Sequence, residues 1–278
     1  MNIKLIKQNT LSILKTYVPN LLIYLSETEI ESFIDKSLDF TNGKEVAKMN
    51  GNFLVSFFLL VREHKENKSS VIRNEFEYMN YLLGKFNEVN PNSRAFKNFL
   101  IAVIYDFRQN GFLHALGEIS ACLTLLDYDC KFSTYEKKIT NGKSIDFEFI
   151  KKDGNPILFD VVTINFDSSK YENPKGLQSL VCKRISDKFN NKTDSLEESD
   201  KENIYIFPIF SGLTIDIIKE NKMFLNNIDS DVCPSKFNCF EAHIFANLDS
   251  QYFNLFTTNE IIELDKKKAK NVRAKKRY

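Results

Sequence analysis

The chain has 278 residues, of which 43% are hydrophobic and 13% aromatic, and its 38 basic and 37 acidic side chains nearly cancel. This length and composition allow one large domain or two smaller ones. The net charge is too small to identify the chain as a nucleic-acid-binding protein by its overall basicity. The longest apolar run, within Phe53–Val61, is too short for a bilayer span, which needs about 20 apolar residues. Five cysteines without paired spacing favour reduced thiols, so we expect a soluble, cytoplasmic protein without membrane association.

Residues 1–110 carry apolar residues at helical spacing. Ser26 and Thr28 are candidate N-caps, and Pro19 and Asn110-Gly111 are helix-ending signals. The predicted helices are Ile3–Tyr17, Glu27–Phe40, Asn52–His64, Ser69–Val89 and Arg94–Gln109. We expect this helical region to recognise a target or a partner, either a partner protein or a second copy of the chain in a homodimer.

After one further helix, Phe112–Leu126, the spacing of apolar residues changes from 3.6 to 2, which indicates strands. The turn signal Lys152-Asp153-Gly154-Asn155 joins two of them. The predicted strands are Cys130–Lys137, Ser144–Lys151, Pro156–Ile164, Ile204–Phe210, Phe237–Leu248 and Tyr252–Phe256. Predicted helices cover Gly176–Phe189 and Thr214–Glu220, with a loop or helix end at Asn190–Glu202. This order predicts an α/β core over 111–260, followed by a basic tail over 261–278.

Three carboxylates occupy notable points of this layout. Glu118 lies mid-helix, Asp146 lies in the second strand, and Asp160 lies in the third strand inside ILFDVVTI. The turn between the strands is short, so Asp146 and Asp160 are expected side by side, although Glu148 shares the face of Asp146 and is an alternative. An ionised carboxylate in an apolar strand needs solvent, a cation or a metal. Clustered oxygen ligands suit Mg²⁺.

The layout resembles the PD-(D/E)XK phosphodiesterases, in which a helical acid precedes a meander that carries Asp, a turn, and then Asp or Glu two residues before Lys. Glu118 matches the helical acid, and Asp146 in SIDFEF and Asp160 in FDVV match the strand acids. The resemblance implies a restriction-endonuclease-like mixed sheet flanked by helices. It also implies an endonuclease that acts on DNA with Mg²⁺ or Mn²⁺ held by Glu118, Asp146 and Asp160, by analogy in restriction or phage defence.

The sequence departs from this family at the lysine, because Val162 stands two residues after Asp160. One interpretation takes the amine from the following helix, from Lys183 or Lys188, which would then be catalytic with Asp146 and Asp160. The alternative is a catalytically degenerate nuclease fold that binds nucleic acid or a protein. A third hypothesis is an all-helical regulatory protein, in which the α/β pattern of the second half is coincidental.

Other chemistries have little support in the sequence. The histidines are far apart, and the spacing of Cys233, Cys239 and His243 lacks a fourth ligand for zinc. The basic tail DKKKAKNVRAKKRY is either a solubilising end or an arm that contacts phosphates.

Overall fold

The structure is a computed structural model that describes residues 3–42, 70–89, 97, 100, 111–127, 130–166, 174–228, 238–247 and 253–275. The chain divides into two compact units, residues 1–123 with 248–253 and residues 124–247 with 254–278. The predicted helix Asn52–His64 lies outside the described residues, as does Arg94–Gln109 except for two helical residues, Lys97 and Leu100. No helix within the described ranges is both long and apolar enough to cross a membrane.

The described helices within residues 3–89 are α1 (Ile3–Tyr17), α2 (Leu21–Tyr24), α3 (Glu27–Asn42) and α4 (Ser70–Val89), so this region is helical as predicted. Helix α1 packs against α3 and α4, and buried Leu14, Ile30 and Phe86 contribute to the core of this unit. The predicted cap Ser26 is confirmed: its hydroxyl donates to Glu29 and accepts from the Glu29 amide, while its own amide donates to the Glu29 carboxylate at 2.9 Å. This reciprocal pattern is a capping box.

Helix α5 (Gly111–Asp127) precedes a mixed sheet, as expected for an α/β fold. The strands are β1 (Lys131–Lys138), β2 (Ser144–Ile150), β3 (Pro156–Asn165), β4 (Ile204–Ser211), β5 (Asn238–Cys239), β6 (His243–Asn247) and β7 (Phe253–Thr257). Their order in the sheet is β1-β2-β3-β4-β6-β7, and β5 also pairs with β4. Strands β1, β2 and β3 form an antiparallel meander, and β4 joins β3 in parallel after a helical crossover. The other helices are α6 (Pro174–Thr193), α7 (Glu198–Lys201), α8 (Ile215–Glu220), α9 (Lys222–Asn226) and α10 (Thr258–Lys275).

The turn between β2 and β3 forms where the sequence predicts it. The Asp153 carboxylate accepts from the Asn155 amide at 2.9 Å, and Gly154 has φ +86°, a conformation that glycine adopts without strain. The turn fixes the register of the two strands, which pairs Phe147 with Phe159.

Side chains alternate between the two faces of the sheet. One face, here called the aromatic face, carries a cluster of rings from strands β2 to β4 and from the residue that follows β5: Phe147, Phe149, Phe159, Phe207 and Phe240. The opposite face, here called the acidic face, carries Asp146, Glu148 and Asp160. Helix α6 packs against β3 and β4 on the acidic face, as its ion pairs with Asp160 show.

Helix α6 ends at Thr193, inside the segment Asn190–Glu202 for which the sequence predicts a loop or helix end, and four residues beyond the predicted Phe189. The segment expected to be a basic tail is helical as far as Lys275, where the described residues end, and Ile261 and Ile262 are buried. Charge dominates that stretch, but these two isoleucines hold the start of α10 against the core.

Candidate functional site

Asp146 and Asp160 meet where β2 and β3 separate. The backbone ladder between these strands ends at Phe147 and Phe159, and one further step of the antiparallel register would join Asp146 to Asp160. At this point the amide of Val161 donates to the Asp146 carboxylate at 2.8 Å instead of to a backbone carbonyl. The Asp146 side chain therefore enters the space between the strands and brings its carboxyl group next to that of Asp160.

Asp160 is fully buried, and two ammonium groups of α6 contact it. Lys188 Nζ lies 3.0 Å from Oδ1, and Lys192 Nζ lies 2.8 Å from Oδ2. Each oxygen of the buried carboxylate therefore has a cationic partner at hydrogen-bond distance. Lys192 also donates to the carbonyl of Ser144 at 2.6 Å, which ties α6 to the first residue of β2.

The electrostatic balance favours the ionised form of Asp160. Burial opposes ionisation, but a hydrogen bond with the side chain of Asp146 and the ammonium groups of Lys188 and Lys192 together hold the pKa of Asp160 below its usual value. The carboxylate of Asp160 is therefore charged at neutral pH although its own surface is fully buried.

The lysines reach Asp160 because of their spacing along α6. Val181, Ile185, Lys188 and Lys192 follow one another at steps of four, three and four, which places them on one side of the helix. Of the two lysines considered from sequence, Lys188 is beside Asp160 and Lys183 is exposed on another side. Sequence reasoning missed Lys192. The signal was the spacing of four residues from Lys188, but the polar segment around Lys192 indicated a loop as readily as a helix end.

Glu148 lies on the acidic face but points away from the acid pair. Its carboxylate accepts from the Ser133 hydroxyl at 2.6 Å and pairs with Lys137 Nζ at 2.8 Å, both from β1. Burial raises the pKa of Glu148, but Lys137 and Ser133 lower it by more, so the pKa lies below its usual value. Asp146 rather than Glu148 is therefore the strand-β2 acid next to Asp160.

The remaining predicted positions lie as follows. Val162, where the family lysine would stand, is half-buried on β3. Glu118 is half-buried on α5 and belongs to the first unit. Across the described ranges, no group of three or more His, Cys, Asp or Glu side chains is arranged to hold a metal ion.

The acid pair lies close to solvent, although Asp160 itself is buried. Lys188 and Lys192 keep 28% and 21% of their side-chain surface exposed, and Asp146 is half-buried. Carboxylate oxygens and ammonium groups at one point can together bind a cation and an anion such as a phosphate. In comparisons with known proteins, no family model, no curated protein and no solved structure matches this chain.

Proposed function

We propose that this protein is a metal-dependent phosphodiesterase that cleaves DNA, with the acid pair Asp146 and Asp160 as the centre of its active site. The observation that carries the proposal is the meeting of two strand carboxylates at the end of a ladder, with Lys188 Nζ 3.0 Å from Asp160. A lysine from α6 can then supply the amine that Val162 cannot.

The residues present fit a divalent ion of the Mg²⁺ or Mn²⁺ type. Such an ion commonly takes one or two carboxylates and completes its shell with water and substrate phosphate. Asp146 and Asp160 would hold it, because their carboxyl groups lie side by side at the end of the β2–β3 ladder. When bound, the ion would supply an activated water and charge stabilisation for phosphodiester hydrolysis. Glu118, the third ligand implied by the family resemblance, stays a prediction.

The two lysines have different roles in this proposal. Lys192 is anchored twice, to Asp160 and to the Ser144 carbonyl, so it is a positioning residue that fixes the Asp160 carboxylate. Lys188 is the more exposed of the two, and its ammonium group can offset negative charge that develops on the phosphate. Lys183, exposed on the same helix, has no role in the proposal.

A second candidate function is nucleic-acid binding or protein interaction without cleavage. It is favoured by the two lysines on Asp160, because a buried acid that is neutralised by two cations can be a purely structural feature. The exposed Lys266, Lys267 and Lys268 of α10 would add salt-dependent affinity for a phosphate backbone in either case.

Plasmid cleavage in Mg²⁺ or Mn²⁺ tests the proposal. We expect wild-type protein to nick or linearise DNA, and Asp160→Asn and Lys188→Met to lower the rate by about a hundredfold or more. The matched controls are Glu148→Gln on the same strand face and Lys183→Met on the same helix, which should retain the rate. Circular dichroism establishes that each variant is folded.

Two outcomes would decide against cleavage. If wild-type protein cuts neither DNA nor RNA with either ion at low salt, the protein is not a nuclease of this type. If it nevertheless shifts DNA in a gel in a salt-dependent manner, the second candidate function is the correct one.

A further inference from the structure

A cavity of about 460 Å³ lies on the aromatic face of the sheet, opposite the face that carries the acid pair. All of its lining residues belong to the second unit. Its volume is within the range of small-molecule sites, about 300–1,000 Å³. The residues that give it chemical character are Phe207, Phe240, His243, Lys151, Lys152 and Glu241.

The walls of the cavity are flat rings. The Phe207 and Phe240 centroids are 5.1 Å apart, and the His243 ring stacks on Phe207 with centroids 4.6 Å apart and planes 30° from parallel. Phe207 is completely buried, so its ring is held in place by the core. Rigid aromatic walls of this kind favour a planar aromatic ligand, which can stack at little cost in conformational entropy.

At the apolar end of the cavity, Nε2 of His243 is a hydrogen-bond acceptor. Its Nδ1 lies 3.0 Å from the Glu241 carbonyl, so Nδ1 carries the proton and donates it. Burial lowers the pKa of His243, which keeps the ring neutral and Nε2 an acceptor. Among the described residues none donates a hydrogen bond to Nε2. A ligand with an N–H group would complete this ring's hydrogen bonding.

The solvent end of the cavity is basic. Lys152 is exposed, and the half-buried Lys151 has its ammonium group 5.7 Å from the centroid of the Tyr205 ring. Glu241, also exposed, is the acidic group here, so two positive charges and one negative charge leave a net +1. This end suits an anionic group on the ligand.

We propose that this cavity binds a nucleotide, with the base against the wall formed by the aromatic rings, an amino or ring N–H group donating to His243 Nε2, and the phosphate near Lys151 and Lys152. A free nucleotide and an unpaired nucleotide of a nucleic-acid chain both carry these groups. The cavity contains neither Asp146 nor Asp160, so nucleotide binding there does not depend on cleavage at the acid pair.

Isothermal titration of the full chain tests this site with four ligands: AMP, adenosine, ribose 5-phosphate and a short adenine-rich single strand. We expect AMP to bind with Kd of about 1 mM or tighter, and more tightly than either of its parts. His243→Phe keeps a flat ring but removes the acceptor, and should weaken AMP binding about tenfold. Replacing Lys151 and Lys152 together by Gln should weaken AMP binding but leave adenosine binding unchanged. Lys138→Gln, exposed on β1, is the matched control and should change nothing.

The single-stranded oligonucleotide distinguishes the two sources of the ligand. If it binds more tightly than AMP and competes with AMP, the cavity is a nucleic-acid site. If AMP binds more tightly, the cavity is a site for free nucleotide. Absence of binding for both AMP and the strand at about 5 mM overturns the proposal. Binding that is unchanged in both His243→Phe and the milder Phe240→Leu also overturns it. Because Phe240 is half-buried, the second variant tests the walls even if the first fails to fold.

Discussion

Phe159 and Asp160 are neighbours in one strand, and both are completely buried, but they are stabilised in opposite ways. Phe159 lies on the aromatic face, where four rings surround it at centroid distances from 4.9 to 6.3 Å. Asp160 lies on the acidic face, where two ammonium groups of α6 contact its oxygens. One residue needs apolar volume around it, and the other needs charges at specific positions.

This difference shows why the acidic face depends on one helix. Burial of an aromatic ring is non-directional, so any packed apolar neighbour contributes. A buried carboxylate is tolerated only where partners stand within a few ångströms. The register of α6 is therefore as important to Asp160 as the strands that carry it.

The largest expected effect is on the aromatic face. Phe159→Ala should lower the free energy of unfolding of the second unit by about 3–5 kcal/mol, because it leaves a cavity and removes ring contacts. Urea denaturation followed by circular dichroism measures this. Phe159→Leu, which keeps most of the volume, is the control and should cost less. Equal costs for the two variants would mean that volume is not what stabilises this face.

The sequence predicted the parts of this unit that depend on alternation and turn chemistry. Apolar residues at every second position predict strands β1 to β4. The short connection at Asp153-Gly154 predicts the turn between β2 and β3, and with it the side-by-side placement of Asp146 and Asp160. The resemblance to PD-(D/E)XK nucleases guided the choice of acids, and it stays a prediction, as do the metal and the DNA substrate.

Two features could not be recognised from local polarity. The end of α6 is rich in Asn and Lys, but Lys192 is held by its ion pair with Asp160 on β3, and Thr193 is buried. The Thr193 hydroxyl also donates to the carbonyl of Phe189 in the same helix at 2.9 Å. The start of α10 did carry a signal. The Thr257 amide donates to the Glu260 carboxylate at 2.7 Å, and the Glu260 amide donates to the Thr257 hydroxyl, which is a capping box.

On the acidic face, Lys192→Met should lower the free energy of unfolding by about 2 kcal/mol, because it leaves Asp160 with fewer cations and the Ser144 carbonyl without this donor. The cost is below that of a fully buried pair because Lys192 keeps 21% of its side-chain surface exposed. The matched control is Lys183→Met on the exposed side of α6, which should stay within about 0.5 kcal/mol. If both substitutions cost the same, the contacts of Lys192 contribute no net stability.

The smallest effect is a dependence on pH that the acidic face should show and the aromatic face should not. The pKa of Asp160 lies below the unfolded value of 3.8, so the ionised form stabilises the fold. Its contribution is complete above pH 3.8 and is lost as the pH falls through the lowered folded value. The difference in stability between wild type and Asp160→Asn should therefore stay constant from neutral pH to about pH 4 and shrink below it. Urea denaturation across that range measures the difference, with Asp187→Asn on the exposed side of α6 as the control. A difference that already changes between neutral pH and about pH 5 would mean that burial, rather than the lysines, dominates the ionisation of Asp160.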